Sequence, residues 1–108
     1  MRVYRESEAL AVVRGLTRER LRAWVARGLV NPRAAEDEYL FDELDLARFE
    51  LLVTIREDLG LREEDLPLVV ALLDRIYGLR RQLRRLLQAI GELPQEQRQR
   101  ILERLARD

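Results

Sequence analysis

A mainly α-helical fold, made of a helix-turn-helix pair, a small β-hairpin and a long C-terminal helix, is what this 108-residue sequence predicts. Three observations lead there. Two short amphipathic runs are separated only by Gly15 and Leu16, a turn of the length that joins the helices of a helix-turn-helix. Asn31-Pro32 then interrupts helical periodicity, and Tyr39 and Phe41 alternate in the stretch that follows. Finally, apolar residues fall at Val69, Leu72, Ile76, Leu79, Leu83, Leu86, Ile90 and Leu93, with intervals alternating between three and four.

Each element has its own local reason. Residues 5–14 carry Leu10, Val13 and flanking alanines on one side, and Gly15 provides a stop. Thr17 is suited to cap a second helix, in which Leu21, Trp24 and Val25 recur at helical spacing until Gly28. Trp24 is expected in the core, or half exposed with a hydrated indole N–H. The hairpin is expected to turn near Glu36-Asp37, forming a wing with Tyr39 and Phe41 packed on the core. Asp42 caps a third helix over roughly 43–59, for which Leu44, Ala47, Leu51, Leu52, Ile55 and Leu59 give one apolar stripe before Gly60 ends it.

The fourth helix runs from about Glu63, with Pro67 tolerated in its first turn, to Ile90. Its seam is a coiled-coil heptad pattern, and nothing else in so short a chain is an obvious cover for it. A homodimer is therefore expected, with Val69, Leu72, Ile76, Leu79, Leu83, Leu86 and Ile90 in the interface; the alternative is a hairpin in which Leu86, Ile90 and Leu93 receive the last helix. Gly78 in this run suggests the close approach of another backbone. Pro94 breaks the helix, and Ile101, Leu102 and Leu105 mark a final amphipathic segment. The expected organisation is one compact unit with a helix-turn-helix portion over 1–62, a coiled-coil helix over 63–93 and a short helix over 94–108.

Composition removes whole classes of chemistry. There is no Cys and no His, so thiolate and imidazole metal sites, thiol nucleophiles and imidazole bases are excluded. Ser7, Thr17 and Thr54 are the only hydroxyl residues apart from tyrosine, and none has a partner that would activate it. No Gly-rich phosphate loop is present. The expectation is a protein that is not an enzyme and needs no cofactor. No apolar run approaches the ~18 residues of a spanning helix, and no signal-like stretch opens the chain, which points to the cytoplasm.

Net charge is zero, yet the charge is striped. Residues 1–33 hold eight Arg against three acids, residues 34–74 three Arg against thirteen, and residues 75–108 nine Arg against four. All twenty basic residues are Arg.

In order and spacing these elements resemble the MerR-like winged helix-turn-helix fold over about residues 3–93. LRAWVARGLVNPR stands where that fold has its recognition helix, and Tyr39-Leu40-Phe41-Asp42 leads into the next helix. Within the fold, the strings GLVNPR, YLFDELDLARFELL, TIREDLGL and LLDRIYGLRRQLRRL are similar to chaperone-modulator proteins of the CbpM type. That resemblance implies a partner, the J-domain of a CbpA/DnaJ-like co-chaperone, whose engagement with a DnaK-type chaperone is blocked.

The same fold also implies an alternative function, a MerR-family DNA-binding transcriptional regulator. Arg18, Arg20, Arg22 and Arg27 on the second helix, flanked by Arg14 and Arg33, are its candidate contacts. DNA-binding members usually place an Arg beside the aromatic of the wing, but here the string is Glu38-Tyr39-Leu40 with Glu36 and Asp37 adjoining. Negative charge there repels phosphate. Glu36, Asp37, Glu38, Tyr39, Leu40 and Phe41 are accordingly the candidate surface for a cationic protein partner, with charge providing encounter and apolar groups providing hold. The other acids have a simpler role, with Asp42, Glu43 and Asp45 expected to serve the start of the third helix and Glu63, Glu64 and Asp65 that of the fourth.

Overall fold

The computed structural model describes residues 2–107. Five α-helices and one two-stranded antiparallel hairpin follow each other as α1 (Glu6–Val12), α2 (Arg18–Ala26), β1 (Arg33–Ala35), β2 (Glu38–Leu40), α3 (Glu43–Glu57), α4 (Leu66–Gly91) and α5 (Gln95–Ala106), with a single 3-10 turn at Glu63–Asp65. This is the mainly helical winged helix-turn-helix architecture expected from the sequence, long helix included. The chain forms two compact units, one through Val70 and one from Ala71 onward. The first unit extends past the boundary expected at residue 62, because Leu66 and Val70 in the opening turns of α4 are buried.

Local chemistry sets the element ends. The Thr17 hydroxyl accepts the Arg20 backbone N–H at 3.1 Å and starts α2. At the start of α3, Asp42 accepts the Asp45 N–H at 2.8 Å while Asp45 accepts the Asp42 N–H at 3.0 Å, a reciprocal capping box. Burial pushes the Asp45 carboxyl above its ordinary range, outweighing the N–H bond from Asp42. Gly15, between α1 and α2, has φ +83°, and a Cβ there would lie 2.7 Å from Val53 Cγ1. The turn of the helix-turn-helix thus packs directly on α3.

The core of the first unit is built around aromatic rings. Trp24 on α2 stacks on Phe49 of α3 with centroids 6.3 Å apart, and Phe49 meets Phe41 at 5.5 Å with the planes tilted by 60°. All three are completely buried, joined by Ala9, Val13, Leu21, Val30, Leu52 and Leu66. The buried face of α3 is Leu46, Phe49, Leu52, Val53 and Ile55, which keeps Leu52 and Ile55 of the stripe read from the sequence and corrects the rest. Leu44 and Leu59 are 80% and 67% exposed, and Ala47 also faces solvent. The chain had enough apolar residues to draw two stripes, and the one carrying Phe49 is the one that reaches the rings of α2 and the hairpin.

In the second unit, Pro94 occupies the N-cap of α5, and Arg98 donates its backbone N–H to the Pro94 carbonyl at 3.0 Å. The Arg98 guanidinium reaches the Gly91 carbonyl at 3.2 Å, satisfying one acceptor at the end of α4. Among the described residues beyond its own helical turns, a Cβ at Gly78 would meet within 4 Å only the Arg81 guanidinium, at 3.7 Å.

Gly15→Ala should destabilise the protein more than Gly60→Ala. Both pay about 1–2 kcal/mol for a left-handed Cβ, but only Gly15 adds overlap with Val53, about 1–3 kcal/mol of overpacking. Urea midpoints of the two variants measure the difference, and equal values would contradict direct packing of this turn on α3.

Candidate functional site

Two surfaces carry the residues singled out in the sequence, the outer face of α2 and the hairpin. Leu21 and Trp24 turn the inner face of α2 into the core, which leaves the arginines on its remaining surface. Arg18 and Arg22 converge on one carboxylate, with their Nε atoms 3.3 and 3.1 Å from Glu6 Oε1. Arg20 donates to Glu57 at 2.7 Å and to the Gly15 carbonyl at 3.0 Å, and its guanidinium lies 5.8 Å from the Trp24 ring centroid. Arg27 donates to the Glu63 carboxylate at 3.3 Å and to the Glu63 carbonyl at 3.1 Å. Each of the four arginines expected to meet DNA is therefore ion-paired within the chain.

The four are not equivalent. Side chains of Arg18 and Arg22 remain 62% and 66% exposed, so their shared pair with Glu6 is weak and open to exchange with another anion. Arg20 and Arg27 are less exposed and have several partners each, and they tie α2 to α3 and to the 3-10 turn.

Glu63 is the hub of those ties. Its Oε2 accepts the Trp24 indole N–H at 2.9 Å, and its Oε1 accepts from Arg56 Nε at 3.1 Å, while Arg56 Nη1 also donates to the Leu61 carbonyl at 2.6 Å. Trp24 thus takes the core place that was the first of its two expected settings, with its N–H satisfied by a carboxylate. Glu63, Glu64 and Asp65 form the 3-10 turn, one step before the first turn of α4 where sequence reading put them. Sequence reasoning missed this hub because Trp24 and Glu63 lie 39 positions apart. The one available signal was that a buried Trp needs an acceptor.

The hairpin is short and firmly based. Arg33 pairs with Leu40, Ala34 with Tyr39 and Ala35 with Glu38. Below it, Tyr4 and Phe41 exchange backbone hydrogen bonds of 2.7 and 2.8 Å, fixing the outgoing strand to the N-terminal segment. Glu36 adopts φ +55° at the turn, as the expected turn position requires. Glu36, Asp37 and Glu38 are all exposed, and Glu38 forms an outer ion pair with Arg5 at 3.3 Å. Tyr39 is 46% exposed and is not packed into the core as expected, whereas Leu40 is half-buried. Phe41 is the correction to the candidate contact set. Fully buried against Phe49, it supports the hairpin from inside and presents nothing to a partner.

Among the described residues, no cluster of acids has metal-binding geometry, and no helix is long and apolar enough to cross a membrane. The candidate sites offer charge and shape for recognition.

A paired α1–α2 with a hairpin wing leaning on α3 defines a winged helix-turn-helix protein of the MerR type. The family described as MerR HTH family regulatory protein matches residues 7–88, and the chain belongs to that family. Comparison with curated proteins and with solved structures returns no match.

Replacing Glu63 by Ala leaves the buried Trp24 N–H without its acceptor and frees two guanidinium groups. The expected loss is about 1–3 kcal/mol of stability, smaller for Glu63→Gln, which keeps an acceptor. Trp24 is the only tryptophan, so its fluorescence followed through a urea titration reads the change directly. An unaltered midpoint for Glu63→Ala would mean that the first unit does not depend on this carboxylate.

Proposed function

We propose that this MerR-family protein is a non-enzymatic chaperone modulator, which binds the J-domain of a CbpA/DnaJ-like co-chaperone and inhibits its action on a DnaK-type chaperone. The observation that carries this reading is an inversion of charge use. The arginines of the recognition helix are paired with Glu6, Glu57 and Glu63, while Glu36 and Asp37 at the wing tip are exposed without an ion pair among the described residues and Glu38 pairs only with exposed Arg5. A wing of that sign repels phosphate and attracts a cationic helix. Exposed Tyr39 and half-buried Leu40 adjoin the carboxylates and supply apolar contact. The J-domain itself is the partner implied by resemblance to CbpM-type proteins.

The reading includes a homodimer formed through α4. Leu72, Ile76, Leu79, Leu83 and Leu86 are 45–58% exposed along one stripe. Burying the exposed half of each would contribute half of the about 1.5–3 kcal/mol of full burial, which summed over the stripe favours association. The competing cover by α5 is partial, since Ile90, Leu93 and Ile101 are half-buried but Leu86, Leu102 and Leu105 remain exposed.

A transcriptional regulator is the second reading, and one observation favours it. Arg18 and Arg22 keep most of their side-chain surface exposed, on the helix that MerR-type regulators lay in the major groove. A mobility shift on the promoter of the protein's own operon, abolished by Arg18→Ala with Arg22→Ala, would support this reading over the first.

Calorimetric titration into a purified J-domain tests the main proposal. Binding is expected at low salt and should weaken as salt rises, and Glu36→Gln, Asp37→Asn and Glu38→Gln together should reduce affinity at least about tenfold, about 1.4 kcal/mol. Absence of binding at low salt, or affinity untouched by the triple change, defeats it. For the dimer, sedimentation equilibrium of the double variant Leu79→Asp, Leu83→Asp should give a monomer with unchanged Trp24 fluorescence; a wild-type protein that is already monomeric at micromolar concentration rejects the seam.

A further inference from the structure

The cations that have no acid to meet lie elsewhere. From Arg75 to Gly91 the chain holds five arginines, Arg75, Arg80, Arg81, Arg84 and Arg85, and not one Asp or Glu. All five are exposed. None forms an ion pair with a described residue, in contrast to Arg18, Arg20, Arg22 and Arg27. The charge that the fold neutralises on α2 is therefore left unneutralised on α4.

Four of these residues form a ridge. Arg80 and Arg84 are one turn apart, as are Arg81 and Arg85, so each row advances about 6 Å along the helix. With Ile76, Leu83 and Ile90 at the first heptad position, Arg81, Arg84 and Arg85 fall at the outer positions f, b and c, and Arg80 at e. Pairing of the α4 seams would leave the three outer guanidinium groups in water. A second copy also offers no acid from its own residues 75–91 to neutralise them.

We infer that this ridge is a sequence-independent binding surface for the phosphate backbone of nucleic acid. Guanidinium groups match phosphate oxygens with paired N–H donors, and a polyanion needs little beyond a row of such cations. Gln88, one turn beyond Arg84 and Arg85, adds an uncharged donor on the same side. A protein partner is the weaker fit, because it is held by buried apolar anchors, and the outer positions from Arg80 to Arg85 carry none, Tyr77 being a single exposed ring at one end. An anionic membrane is also a weaker fit, since a surface-lying helix inserts an apolar face, and on α4 that face lies on the seam away from the ridge. The inference is independent of the J-domain proposal and assigns α4 a role apart from pairing.

Fluorescence anisotropy with a labelled duplex of random sequence, at about 50 mM and about 200 mM salt, tests it on the full chain. The wild type should bind at the lower salt and release at the higher. The quadruple variant R80Q/R81Q/R84Q/R85Q should bind at least tenfold more weakly, and its plot of log affinity against log salt should be shallower by about 0.9 for each phosphate it no longer neutralises. The variant R18Q/R22Q should bind as the wild type does. Circular dichroism and sedimentation of the quadruple variant keep the comparison to folded protein of unchanged assembly; should it misfold, the pair R81Q/R85Q carries the same test with a smaller loss. No wild-type binding at the lower salt overturns the inference, as does undiminished binding by the α4 variants. A loss in R18Q/R22Q equal to that on α4 assigns the contact to α2 and overturns it too. So does binding to vesicles of equal parts phosphatidylcholine and phosphatidylglycerol when the duplex is not bound.

Discussion

The carboxylate of Glu63 is the constraint on which the first unit depends. Burying Trp24 completely places an indole N–H in a low-dielectric interior, where leaving it unpaired is costly. Glu63 supplies the acceptor, and its negative charge is offset in turn by Arg27 from the end of α2 and Arg56 from the end of α3. One residue of a 3-10 turn thereby joins the ends of two helices and fixes where the third begins. Because its side chain remains partly exposed, its value lies in satisfying the indole more than in the strength of its ion pairs.

That arrangement places an acid against each of the four arginines of α2 and its C-cap. Arg20 and Arg27 serve as internal struts with several partners each, and only Arg18 and Arg22 keep an outward-facing guanidinium, both drawn to Glu6. The acids that answer α2 come from α1, α3 and the 3-10 turn, three elements packed around it. Among the described residues the hairpin's acids are met only by Arg5 on Glu38, for Arg33 at the base of β1 forms no ion pair with them. Charge striping along the chain therefore becomes a neutralised helix beside an acidic wing.

Features governed by near neighbours were legible in the sequence. Thr17 and Asp42 act three residues away, Gly15 has the left-handed φ that its place after α1 suggested, and the hairpin turns where a break in periodicity announced it. The heptad run gave the length of α4 because it continues unbroken to Ile90, although a second phase through Leu66 and Val70 is the one buried. On α3 the same method found Leu52 and Ile55 but drew the stripe through exposed Leu44 and Ala47 in place of Leu46, Phe49 and Val53, which satisfy helical spacing equally well. Only the rings contributed by Trp24 and Phe41 decide between those faces, and neither lies on α3. The ion pairs of α2 were illegible for a related reason, being closed at separations of 16, 37 and 36 residues. Tyr39 and Phe41 looked alike by alternation, but Phe41 lies at the strand's exit, where Tyr4 and Phe49 enclose it, and Tyr39 lies one pair further toward the open tip.

Glu36 holds a left-handed backbone at the hairpin tip, a conformation that disfavours any residue with a Cβ by about 1–2 kcal/mol. Glycine would relieve that strain, so selection for folding alone has no reason to keep a glutamate there. Exchange of this one residue separates upkeep of the scaffold from what the tip carries: Glu36→Gly removes the left-handed Cβ, less the about 0.5–1 kcal/mol of freedom that glycine forfeits on folding, and with it one charge of the turn.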